Sequence, residues 1–168
     1  MMRSRVLPHA LRLAIGASFA LLLVGCRESG EDGDASHESV AADSAEYLTP
    51  YGPPTRPFSP AVRVGNVIFL SGQIGTDASA SGGVVAGGIE AETRQTLDNI
   101  KKVLTDIGSS MDKVVKCTVM MADMKEWDRM NTVYITYFTP GRLPARSALG
   151  ANGLALDARV EIECIASA

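Results

Sequence analysis

The chain has 168 residues, 46% of them apolar, with 16 Lys and Arg against 19 Asp and Glu. That length fits one domain with appendages, and a formal net charge of −3 argues against a nucleic-acid binder held by a broad basic surface. Three cysteines are too few for a disulfide-stapled scaffold, and two histidines make a His-rich metal site an unpromising reading.

Residues 1–12 hold Arg3, Arg5 and Arg12 and no acid, and Leu13–Val24 is an unbroken run of apolar and small residues. The run is too short to span a bilayer, which takes about 20 residues. It matches the hydrophobic stretch of an export signal, about 7–15 residues behind a positive end. It closes on Leu22-Leu23-Val24-Gly25-Cys26, which resembles a bacterial lipobox. The expectation is a signal peptide over residues 1–25 and a lipid anchor on Cys26. Several acyl chains, at about 0.8 kcal/mol per buried methylene, hold a protein firmly to a membrane. The expected place is the bacterial cell envelope, facing the periplasm, with Arg27 after the cysteine favouring the outer membrane. Without the three leader arginines, 13 basic residues face all 19 acidic ones, so the exported part is acidic.

Residues 26–57 are rich in Glu, Asp, Ser, Gly and Ala and then in Pro. Such a stretch buries too little apolar surface to offset its ordering entropy and reads as a flexible tether. His37 lies alone in it, as a solvated side chain.

The folded domain is expected over residues 58–168. Ala61–Val64 and Val67–Ser71 read as strands joined by a Gly65-Asn66 turn. A Gly/Ser-rich loop follows over residues 72–88. Ile89–Ile107 carries Leu97, Ile100, Leu104 and Ile107 at helical spacing, and Gly108 ends it. Lys113–Met121 alternates, with Val115, Cys117, Val119 and Met121 on one face. Lys125–Phe138 reads as a second helix with Trp127, Met130, Tyr134, Tyr137 and Phe138 on its apolar side. Ala145–Gly150 and Arg159–Ala166 are the last strands, with Val160, Ile162 and Cys164 on one face of the final one. The order predicts an α+β fold, one sheet with two helices packed on one face. Lys116, Thr118, Met120, Glu161 and Glu163 then line the other face, and its partly apolar character suggests oligomerisation. Cys117 and Cys164, on apolar faces, read as buried free thiols that behave as small hydrophobes, with a disulfide between them the alternative in an oxidising periplasm.

Four segments come in one order: SGQI at Ser71–Ile74, ETRQTLDNIKKVL at Glu92–Leu104, PARSAL at Pro144–Leu149 and VEIECIA at Val160–Ala166. Together they resemble the RidA (YjgF-type) family of imine and enamine deaminases, over about residues 58–168. The resemblance implies a chorismate-mutase-like fold, a homotrimer with active sites between subunits, and a small imino or enamine acid as substrate, without metal or cofactor. It implies that Arg146 binds the substrate carboxylate, for which a planar guanidinium fork is suited. Glu161 would handle the hydrolytic water, with Ser71 beside it in the catalytic pocket. Asn131 and Phe58 would contact substrate, Phe58 standing where family deaminases often carry a tyrosine, so that a ring is kept and a hydroxyl lost. The competing reading is a non-catalytic module that binds a carboxylate metabolite or a protein partner.

Overall fold

The structure, a computed structural model, describes residues 44–77 and 82–168. The expected leader, Cys26 and His37 lie outside the described residues.

The described chain folds into one mixed sheet with two helices on one face. Its strands are β1 (Glu46–Leu48), β2 (Ala61–Val64), β3 (Val67–Leu70), β4 (Gln73–Ile74), β5 (Val114–Met121), β6 (Ala145–Gly150) and β7 (Val160–Ser167). The helices are α1 (Ile89–Asp106) and α2 (Trp127–Tyr134). The strands run in the order β1-β2-β3-β7-β5-β6, and β4 pairs with β7 beyond the end of β3. Among the described strands, only the β5–β6 pair is parallel.

Gly65, with φ 55°, supplies the left-handed residue that the two-residue β2–β3 turn needs. The α1 stripe of Ile89, Thr93, Leu97, Ile100 and Leu104 is fully buried against the sheet. Gly108, with φ 78°, closes α1: Ser109 N–H donates to Leu104 O and Gly108 N–H to Thr105 O, the paired bonds of a Schellman end. Asn99 on α1 donates to the carbonyls of Ile74 and Thr76, stitching the helix to the strand below.

Four expectations are corrected. The ordered domain begins before residue 58, since Glu46–Leu48 pairs antiparallel with β2 and Tyr51 lies against the Lys102 ammonium. Pairing to an existing sheet edge orders a segment whose composition alone reads as spacer. The second helix is shorter than Lys125–Phe138, because single turns of 3-10 helix occupy Met124–Glu126 and Ile135–Tyr137. Thr132 near the end of α2 and Thr136 in the turn after it donate their hydroxyls to carbonyls three residues back, a local competition that loosens regular helix. In β5 a bulge near Val115 turns that side chain outward, and Val114 is buried in its stead.

Finally, Cys117 and Cys164 are not free thiols. They form a disulfide with Sγ atoms 2.01 Å and Cα atoms 4.1 Å apart. They are direct register partners on adjacent antiparallel strands, a juxtaposition that their places in the sequence do not reveal.

Candidate active site

Arg146 sits on β6 opposite Cys117 of β5, so its side chain rises on the helix-covered face and reaches α2. Its guanidinium carbon lies 4.7 Å from the ring centroids of both Trp127 and Tyr134, and Nη1 donates to Asn131 Oδ1 at 2.7 Å. Trp127, Asn131 and Tyr134 stand at i, i+4 and i+7, one face of a helix. No carboxylate pairs with Arg146 among the described residues. The side chain is therefore a fixed, half-buried cation with N–H groups left to donate. Tyr134 is 3% exposed, its hydroxyl has no hydrogen-bond partner among the described residues, and burial pushes its pKa up to about 12. It acts here as a neutral ring.

Glu161 belongs to a second cluster. Between Phe69↔Ile165 and Gln73↔Ile162, four steps along the β3–β4 side oppose three on β7, so one extra residue is accommodated around Ser71-Gly72. Bulges of this kind re-aim side chains. The Glu161 carboxylate lies against the bare Cα of Gly72: a Cβ there would collide with Glu161 Oε1. Burial, and then the neighbouring Glu163 charge, raise the Glu161 pKa above the usual carboxylate value. Ser71 Oγ donates to Ser59 O at 2.6 Å, and Ser71 N–H donates to Pro60 O. These bonds fasten the Phe58-Ser59-Pro60 segment to the bulge. Phe58 is exposed and lines a cavity of about 420 Å³ between residues 51–60, α1 and the end of β4.

These clusters do not meet within one chain. Arg146 shares the register level of Cys117 and Glu161 that of Met120. Three residues of offset on an alternating strand place the two side chains on opposite faces of the sheet. The strands of Arg146 and Glu161 are also separated by β5, so their Cα atoms are about 14 Å apart by ordinary strand spacings. The structure thus brings Asn131 to Arg146 and sets Ser71 next to the Gly72 that Glu161 covers, whereas Phe58 faces the cavity beside α1, whose lining does not include Glu161. A single substrate contacts both groups only if a second copy supplies one of them.

Sequence reasoning assigned Trp127 and Tyr134 to the core and passed over Gly72. The i, i+4, i+7 alignment of Trp127 and Tyr134 with Asn131 was the available signal for the rings. Nothing local marks Gly72, because its neighbour is 89 positions away in sequence.

The sequence profile described as Endoribonuclease L-PSP matches residues 51–168. The chain belongs to the endoribonuclease L-PSP family. This bears out the RidA/YjgF resemblance at family level. A mouse family member named 2-iminobutanoate/2-iminopropanoate deaminase is 46% identical over 110 residues, 66% of this chain and 80% of the mouse protein. A human protein of the same name is 41% identical over 110 residues, 66% of this chain and 79% of the human one. Among solved L-PSP structures, the YjgF gene product of E. coli aligns with a TM-score of 0.64 at 32% identity, over 74% of this chain and 98% of its own. A Rid-family protein from Yersinia pestis aligns with a TM-score of 0.67 at 34% identity, over 74% of this chain and all of its own. The architecture of a mixed sheet under two helices is thus that of the L-PSP family.

Proposed function

We propose that this protein hydrolyses reactive 2-imino and enamine acids to 2-keto acids and ammonia. The observation that carries the reading is the Arg146 guanidinium, held by Trp127, Tyr134 and Asn131 with N–H groups uncommitted. That arrangement suits a small carboxylate better than a buried structural ion pair. Deaminase names among relatives 41–46% identical support the same reading.

In the proposed reaction Arg146 binds the imino-acid carboxylate through parallel charge-assisted bonds. The C=N carbon is then fixed in register with a water at Glu161, which makes the attack effectively intramolecular. Glu161 takes a proton from water as oxygen bonds to carbon, and the C=N electron pair moves to nitrogen. That proton passes to nitrogen, giving a carbinolamine. Glu161 then takes the proton of the new hydroxyl and delivers it to the amine, so that the C–N bond breaks, the oxygen electrons form C=O, and ammonia leaves with the keto acid behind. A carboxyl with a raised pKa is suited to both transfers. Ser71 ties the Phe58-Ser59-Pro60 segment to the strand end beside Gly72, and Phe58 offers the substrate a ring without a hydroxyl.

Because Arg146 and Glu161 lie on opposite faces, the catalytic unit is a homo-oligomer in which one copy's arginine meets its neighbour's glutamate. A trimer is the proposed state. Tyr47, Val64, Val67, Phe69 and Leu149 are exposed apolar side chains on the helix-free face, supporting its burial against other copies.

The proposed location is the cell envelope, with lipid on Cys26. The buried Cys117–Cys164 disulfide supports it, since such bonds persist in oxidising compartments. Membrane fractionation of the full chain against Cys26→Ala tests the anchor, which predicts release of the variant.

The decisive assay is release of ammonia and keto acid from freshly generated 2-iminobutanoate and 2-iminopropanoate. Acceleration over spontaneous hydrolysis that disappears in Glu161→Gln supports the reading; no acceleration by a well-folded oligomer refutes it. The exposed Phe58, lacking a hydroxyl, favours one second reading, a carboxylate-binding module. That reading predicts thermal stabilisation by 2-ketobutyrate without turnover.

A further inference from the structure

β6, the strand that carries Arg146, is hydrogen-bonded to β5 alone among the described strands. Its position across the sheet is therefore inherited from β5. At the level of Arg146 the partner on β5 is Cys117, and the partner of Cys117 on β7 is Cys164. Arg146, Cys117 and Cys164 thus form one row across three strands, on the helix-covered face. The last two are covalently joined, and both are almost completely buried. Glu161 lies three residues before Cys164 on the same strand.

We propose that the Cys117–Cys164 cystine is a positioning element of the active site: it locks the row that ends in Arg146 and so holds the guanidinium against Trp127 and Tyr134. The kinetic part of this proposal rests on the deaminase reading above; the mechanical part does not. Two unbonded thiols keep the distance of van der Waals contact, so without the bond the core must open or both side chains must rotate. A close-packed interior transmits such a change to its neighbours, and β6 has no second strand to hold it in place. Formation of the bond transfers two electrons and two protons from the thiols to a disulfide donor, which leaves as a dithiol.

Trp127 is the only tryptophan in the chain, so its fluorescence reports on the contact directly. The test uses the full chain carrying Cys26→Ser, in which only Cys117 and Cys164 can pair. It compares the oxidised protein, the same protein reduced in denaturant and refolded without oxidant, and Cys117→Val/Cys164→Ala, which keeps the core filled. All are read at one temperature, at least about 20 °C below the lowest of their midpoints of unfolding, so that each is fully folded and loss of stability alone moves neither readout. The expected result without the bond is a rise of about twofold or more in acrylamide quenching of Trp127, with KM for 2-iminobutanoate up about fivefold and kcat within about twofold. Reoxidation restores both values. Unchanged quenching, or changed quenching with unchanged KM, overturns the proposal and leaves the cystine a staple for stability. If the oxidised protein turns nothing over, the deaminase reading fails, and the quenching comparison alone decides the mechanical link.

Discussion

Replacing Arg146 by lysine keeps the charge and removes the fork. The guanidinium now lies 4.7 Å from two ring centroids and donates Nη1 to Asn131 Oδ1 at 2.7 Å. A lysine ammonium reaches the same region, but it cannot donate to Asn131 and also make two parallel bonds to a carboxylate. One charge-assisted bond to substrate is lost, and a hydrogen bond to a charged group contributes about 1.5–3 kcal/mol. At about 1.4 kcal/mol per factor of ten, kcat/KM should fall roughly 10–100-fold, mostly through KM. Arg146→Ala loses both bonds, for a fall on the order of 100–10,000-fold on the same constants. The assay is initial-rate release of keto acid from 2-iminobutanoate, beside a Trp127 fluorescence titration with 2-ketobutyrate. Both should shift together, because the same guanidinium binds ligand and touches the indole. A lysine variant within twofold of the parent in kcat/KM refutes the carboxylate role. So does a loss confined to kcat with an unchanged titration, which would place Arg146 in the chemical step instead.

Gly72→Ala should lower kcat by about tenfold or more while the sheet stays folded by circular dichroism, because the new Cβ displaces the Glu161 carboxylate. Activity should rise with pH through the Glu161 pKa, at a midpoint above the ordinary carboxylate range, since the base form accepts the water proton. The sign for stability is the opposite. The folded state holds this proton more tightly than the unfolded one, so ionisation costs stability as pH rises, and Glu161→Gln should be more thermostable than the parent at pH 7 but not at pH 4. Glu92 is 4% exposed, accepts the Arg159 N–H at 2.7 Å and pairs with its guanidinium. Glu92→Ala should lower unfolding free energy in urea by about 1.5–3 kcal/mol, the worth of a hydrogen bond to a charged group, because the Arg159 N–H loses its acceptor while the half-exposed guanidinium keeps Glu126. Leu156 holds φ 57° on the surface, and Leu156→Asn should raise the thermal midpoint by a few degrees by relieving roughly 1 kcal/mol of left-handed strain.

The sequence by itself determined the strands and helices whose side chains repeat with a period. β2, β5, β6, β7 and α1 could be read within a residue or two, because alternation and the helical stripe are local consequences of a one-sided core. It also determined the family, and through it nominated Arg146, Glu161, Ser71, Asn131 and Phe58 as candidate site residues. Elements stabilised by pairing rather than by their own pattern were not legible. β1 is three residues long and β4 two, and each exists because a neighbouring strand accepts its backbone bonds. Register belongs to the tertiary structure for the same reason. It joined Cys117 to Cys164 where apolar faces had suggested free thiols, set Gly72 beneath Glu161, and gave Arg146 two aromatic neighbours. It also placed Arg146 and Glu161 on opposite faces of one sheet. Residue types name the chemistry; which face each group occupies depends on a count of steps along paired strands, and only the assembled sheet supplies it.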